Sequence, residues 1–296
     1  MKDNSVTVKK VEKDNSFWIR LRSSVVLTAV VIAVMLLGSY YLWGTLLVVS
    51  LIGMMELYRA VGVHRQPAAF VGYLAAIVWY GLNLENYIIL QNNGSAELAD
   101  STLLLQIAVF LIVLLAFYVL SYPKYNSEQI TMIFFGFFYV AVTLSYIFRV
   151  RISDGGAYTV WLIFLGSWGA DVSAYMVGRK IGRHKIVPVL SPKKSLEGFI
   201  GGVVGAVLFG VIYAAVFKTQ LSPIFANPIP AFAIITGVSA VVSMIGDLAA
   251  SAIKRDRQLK DYGRLIPGHG GILDRFDSVI FIAPIVYFLL LVTAGI

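Results

Sequence analysis

Nine apolar runs, each close to the length that crosses about 30 Å of hydrocarbon, follow one another through this sequence. A chain of that kind has few folds open to it. Backbone N–H and C=O groups inside a bilayer must find partners within the chain, so each run is expected to be a helix. The runs read as 24–39, 43–58, 69–90, 103–121, 129–148, 156–178, 198–217, 229–253 and 278–295. The first two are nearly continuous and read as a helical hairpin turned at Ser39, Tyr40 and Tyr41. Composition agrees: 58% of residues are hydrophobic and 14% charged, against about 25% charged in ordinary soluble domains. The expected fold is all-α, a polytopic membrane protein of about nine transmembrane helices.

Charge orients those helices. If the N-terminus is cytoplasmic, 21 of the 24 Lys and Arg residues fall in cytoplasmic segments, and only Arg149, Arg151 and Lys218 fall outside. That is the bias by which basic residues set topology. It predicts a cytoplasmic N-terminus and accounts for the net charge of +8 without a nucleic-acid partner. The basic start resembles a secretory signal, but basic residues continue to Arg22 and no A-x-A site follows. It reads as a cytoplasmic tail, 1–23, ahead of a retained first span. Two groups of helices follow, 24–150 and 151–296, the second holding the candidate site residues. With no cysteine in the chain, disulfides, thiolate nucleophiles and Cys-bound metals are excluded.

The two groups differ in kind. Up to about residue 150 the runs are bulky and aliphatic or aromatic; beyond it they carry Asp, Ser, Lys, Arg, His and many glycines. Gly198, Gly202, Ala206 and Gly210 recur every four residues and read as a face for close helix packing rather than chemistry. Ionisable groups inside a membrane are costly and mark functional candidates. Asp171 is one, in the sixth run. In the eighth, Asp247, Ser251 and Lys254 share a helix face, followed by Arg255; by themselves they could equally be an internal salt bridge. Residues 261–277 add a turn of Pro267, Gly268, His269, Gly270 and Gly271, then Asp274, Arg275 and Asp277. Such a turn lets backbone approach a ligand and offers N–H groups to anions, as does the helix N-terminus after it. Acidic groups among clustered cations suggest a divalent metal and a polyphosphate, and hard oxygen ligands favour magnesium. A third element, Ser191-Pro192-Lys193-Lys194-Ser195-Leu196-Glu197-Gly198, brings two point charges able to hold phosphates and one more carboxylate.

These motifs resemble the phosphatidate cytidylyltransferases, or CDP-diacylglycerol synthases. The family pattern S-x-x-K-R, four residues, K-D, then a glycine region ending P-x-H-G-G-x-x-D-R-x-D is matched without a gap. Its positions here are Ser251, Lys254, Arg255, Lys260, Asp261, Gly263, Pro267, His269, Gly270, Gly271, Asp274, Arg275 and Asp277. The Asp171 region and the Ser191–Gly198 element are also similar to the family; the N-terminal half matches only in hydropathy. The resemblance implies a multi-pass protein of the bacterial inner membrane, with its active site facing the cytoplasm. It implies CMP transfer from CTP to phosphatidate, and a homodimer. It further implies magnesium, paired with potassium, at a centre formed by Asp247 and Asp274. Lys254, Arg255 and Arg275 then neutralise phosphates, with Lys193 and Lys194 completing the cradle. Ser251 and His269 hydrogen-bond phosphate or orient a metal ligand, and Asp277 belongs to the catalytic group. Asp171, Ser191, Glu197, Lys260, Gly268, Gly270 and Gly271 line the substrates. Two rivals stay open: a CTP-dependent enzyme acting on another membrane lipid, and a transporter using Asp171, Asp247 and Asp274 to bind a coupling ion.

Overall fold

The computed structural model describes the backbone of residues 3–93 and 99–294, and the side chains of residues 18–92 and 102–294. Among the described residues nine helices are long and apolar enough to cross a membrane. They are α1 (Asp3–Leu37), α2 (Ser39–Ala60), α3 (Pro67–Asn93) and α4 (Ala99–Leu120). Then come α5 (Ser127–Ile152), α6 (Gly156–Ile181), α7 (Leu196–Val216), α8 (Pro228–Asp256) and α9 (Leu273–Ala294). The expected number of spans stands, and three boundaries move. Helix α1 is continuous from Asp3, with its apolar stretch starting at Trp18, so that stretch already includes Arg20 and Arg22. The side chains before Trp18, Lys10 and Lys13 among them, lie outside the described residues. The break to α2 falls at Gly38, with φ +108°, and Ser39, Tyr40 and Tyr41 are already helical. A β-carbon is disfavoured at that φ, which explains why the turn sits on the glycine. Finally, α9 begins at Leu273, so Asp274, Arg275 and Asp277 occupy its first turns.

Helices α2, α3, α5 and α9 pack around one large core. Tyr58 of α2 is fully buried, and its hydroxyl donates to the Ile133 carbonyl of α5 at 2.7 Å. Gly72 and Gly136 face the same side chain, where a β-carbon would come within 2.5 Å of its hydroxyl and 2.4 Å of its ring respectively. Trp79 Nε1 of α3 donates to Ser145 Oγ of α5 at 2.9 Å. Outer faces stay apolar, as lipid contact requires: Leu104, Ile112 and Val119 of α4 are exposed.

The second group packs through small residues. Gly198, Gly202, Ala206, Gly210 and Ala214 form the buried face of α7. A β-carbon on Gly202 would lie 3.0 Å from the Ala170 carbonyl, and one on Gly210 would lie 2.4 Å from Thr236 Oγ1. The stripe is therefore a packing surface towards α6 and α8, as its spacing indicated. Two spans contain widened π turns, Phe137–Val142 in α5 and Leu165–Gly169 in α6. The second ends two residues before Asp171, where Gly166 presses on Ser239 of α8. Such turns re-aim the helix that follows and recur at functional sites.

Hydrogen bonds identify the two ends of the bundle. At one, Arg151 Nε donates to the Met35 carbonyl at 3.3 Å, and Arg149 Nε to Asn83 Oδ1 at 3.2 Å. At the other, Arg20, Ser23 and Ser24 of α1, Glu56 of α2, Asp171 of α6, Lys254 of α8 and the start of α9 gather around the loop 257–272. The polar elements singled out in the sequence all belong to this second end.

Candidate active site

Asp274 organises the loop 257–272. Its Oδ2 accepts from Tyr262 N at 2.8 Å and Gly271 N at 2.9 Å, and its Oδ1 accepts from Lys254 Nζ at 2.8 Å. One carboxylate thus joins the end of α8, both sides of the loop and the start of α9. Glu56 of α2, 2% exposed, supports the same start from below. It accepts from Ile272 N at 3.1 Å and from Leu273 N at 2.9 Å. A β-carbon on Gly263 or Gly271 would lie 2.1 or 2.3 Å from Glu56 Oε1, so both glycines are required by that carboxylate. The N–H groups of Gly271, Ile272 and Leu273 are taken by the protein's own Asp274 and Glu56. Gly268 and Gly270 do serve the turn, with φ +76° and +85°.

Helix α1 holds the turn from the other side. Ser23 Oγ donates to the Pro267 carbonyl at 2.8 Å, Ser24 Oγ lies 3.1 Å from His269 Nε2, and Arg20 packs over Gly268. Arg275 Nε donates to the His269 carbonyl at 3.0 Å. Partial burial, with Arg275 and Arg20 nearby, holds the His269 imidazole below its ordinary pKa, so the ring is neutral at pH 7.

Between α1, α6 and α9 opens a cleft of 340 Å³ whose polar wall is formed by Asp171, His269, Asp274, Arg275, Asp277 and the α1 serines. Asp171 lies within electrostatic reach of Asp247, Lys194 and Arg275; Asp277 lies within reach of Asp247, Lys254 and Asp171. Asp247 is paired with Lys194 at 2.5 Å. The internal salt bridge allowed for along α8 is absent, because Lys254 turns to Asp274 and Asp247 to Lys194. Ser251 stands between them on α8, half-buried. A second cavity, of 430 Å³, shares Asp171 and contains Lys193 and Lys194.

Other candidates lie outside the cleft lining. Glu197 accepts from Arg183 N at 3.0 Å and His184 N at 3.2 Å, with His184 Nδ1 at 2.5 Å. It closes its own loop instead of adding a carboxylate to the cleft. Ser191 accepts from Lys194 N at 3.2 Å through its carbonyl and shapes the same loop. Arg255 Nη1 donates to the Leu259 carbonyl at 3.3 Å and finishes α8. Lys260 is exposed and lines neither cavity. Arg20, Ser23, Ser24 and Glu56 are missing from the sequence reading. Only Glu56, an acid inside an apolar run, left a signal that could have been followed.

Among the described residues no group of three or more His, Asp and Glu side chains is gathered tightly enough to hold a metal unaided. The donors are nonetheless suited to a hard cation. Asp247 and Asp274 each already face a positive charge, the ammonium of Lys194 or Lys254, and each carboxylate keeps a lone pair beyond the bonds described.

Fold and site together define a class: a multi-span helical membrane protein with a carboxylate- and cation-lined cleft at one end of its bundle, suited to phosphate chemistry. The chain belongs to the cytidylyltransferase family, whose model matches residues 18–293. It is 36% identical to a phosphatidate cytidylyltransferase of Bacillus subtilis over 214 residues, 71% of this chain and 77% of the relative. It is 31% identical to a phosphatidate cytidylyltransferase of Synechocystis over 300 residues, 91% and 94% of the two chains.

Proposed function

We propose that this chain is a phosphatidate cytidylyltransferase, transferring CMP from CTP to phosphatidate to give CDP-diacylglycerol and pyrophosphate in phospholipid biosynthesis. One observation carries the reading. Within the family pattern from Ser251 to Asp277, Lys254, Tyr262 and Gly271 are tied to Asp274, and His269, Asp274, Arg275 and Asp277 line the cleft.

A phosphate oxygen of phosphatidate attacks the α-phosphorus of CTP. The new P–O bond forms as the bond to the β-phosphate oxygen breaks, and pyrophosphate leaves with that electron pair. The nucleophile is already an anion, so no side chain has to remove a proton; positioning and charge neutralisation supply the catalysis. Arg275 uses Nε to fix the His269 carbonyl, which leaves its terminal nitrogens for phosphate oxygens in a planar fork. Neutral His269 and Ser251 serve as hydrogen-bonding partners, and His269 is not a general base. Asp247 and Asp274 would hold magnesium, with Asp171 and Asp277 nearby; bound there, the ion neutralises the CTP phosphates. Potassium beside it, and a homodimer as the working unit, rest on the family resemblance alone. The cleft end of the bundle faces the cytoplasm, where CTP is found, and phosphatidate arrives from the adjoining leaflet.

Incubation of the purified protein with CTP, magnesium and either phosphatidate or a polyprenol tests the reaction. CDP-lipid formed from phosphatidate alone supports the proposal. Release of CDP together with a phosphorylated polyprenol would identify a lipid kinase instead.

A further inference from the structure

The second cavity lies between α6, α7 and α8, and its two halves differ in chemistry. At its mouth stand Arg179, Lys185, Lys193 and Lys194; deeper, the wall is formed by Ala174, Phe199, Val203, Ala240 and Met244. Lys194 is neutralised by Asp247. Among the described residues Arg179, Lys185 and Lys193 make no ion pair. Basic residues that only set topology need to lie on the correct side of the membrane. They do not need to line the mouth of one cavity with its apolar wall behind them. At depth, Ser243 is 1% exposed, borders the cavity, and its hydroxyl has no partner. A buried hydroxyl left unpaired costs free energy that a ligand oxygen would recover.

The geometry points to this cavity as the seat of the acceptor lipid, a glycerolipid ending in a phosphomonoester. Its doubly charged head lies among Arg179, Lys185 and Lys193, its glycerol backbone reaches Ser243, and the first carbons of its chains follow Phe199, Val203 and Met244. A free phosphate would leave the apolar half unused, whereas a zwitterionic lipid would leave the cations unmatched. Asp171 borders both cavities, so the lipid site is contiguous with the cleft assigned to CTP. The identity of the lipid rests on the transferase reading; the location of its binding site does not.

The test uses the full chain in nanodiscs with a phosphatidate carrying a photoactivatable group high on one acyl chain. Cross-links should map to α6, α7 and α8. Excess phosphatidate should suppress them, and glycerol 3-phosphate, inorganic phosphate and phosphatidylcholine should not. Arg179→Ala, Lys193→Ala and the cavity-filling Met244→Trp should each raise KM for phosphatidate about tenfold, leave KM for CTP unchanged and weaken the cross-link. Cross-links elsewhere in the chain would overturn the inference. So would suppression by inorganic phosphate, or a rise confined to KM for CTP. A wild-type protein that makes no CDP-lipid would sink the transferase reading, while the cross-linking pattern still decides whether the cavity binds lipid.

Discussion

Two aspartates carried forward as equals have different surroundings. The Asp274 side chain is 3% exposed, opposite a Lys254 side chain that is 13% exposed, and it holds two loop N–H groups as well. The Asp247 side chain is 33% exposed, and its partner Lys194 is 25% exposed. Breaking a buried ion pair from one side strands the other charge, at a cost of about 3 kcal/mol, whereas a part-exposed pair contributes far less. Asp274→Asn should therefore lower the unfolding temperature in detergent and abolish turnover. Asp247→Asn should abolish turnover with almost unchanged melting. Equal melting losses would contradict this division, and activity in a folded Asp247→Asn protein would remove that residue from the metal centre. The sequence spacing found both residues, but a string of letters cannot say which carboxylate the fold consumes. The same blindness applies to Glu197, whose partner, His184, lies in its own loop.

Elements couple where the sequence is least informative. Glu56 sits in Met54-Met55-Glu56-Leu57-Tyr58-Arg59, where an acid beside an arginine near the end of a span reads as an interfacial charge. Its role exists only through contacts with Ile272 and Leu273, more than 200 positions along the chain. It ties the N-terminal helices to the family pattern and gives α2 a direct part in shaping the cleft. Glu56→Gln keeps the shape but turns an N–H₂ group towards one of those backbone donors. Hydrogen bonds to charged acceptors contribute roughly 1.5–3 kcal/mol, so the variant should melt earlier and lose turnover, while Glu56→Asp recovers part of both. Unchanged melting and rate in Glu56→Gln would reduce the contact to packing. The spans themselves were legible because their apolar runs match a bilayer's thickness. The start of the first was not, since Arg20 and Arg22 interrupt the hydropathy while the helix runs on and brings Arg20, Ser23 and Ser24 to the turn.

At the scale of the whole molecule, the nine long apolar helices among the described residues leave the cleft residues at one end of the bundle. Which compartment that end faces is part of the proposal. Cysteines placed at Ser195 and Lys260, in a chain that has none, should resist an impermeant thiol reagent in sealed cells and react once the membrane is opened. Labelling of either in sealed cells would turn the cleft away from CTP. The central claim, that this cleft joins CMP to phosphatidate, is tested most directly by following two labels of CTP through one reaction. With purified protein, phosphatidate and magnesium, label on the α-phosphate should pass into the lipid phase as CDP-diacylglycerol. Label on the γ-phosphate should stay in the aqueous phase as pyrophosphate. Transfer of the γ-label to lipid, or no transfer of the α-label by a folded protein, would contradict the account.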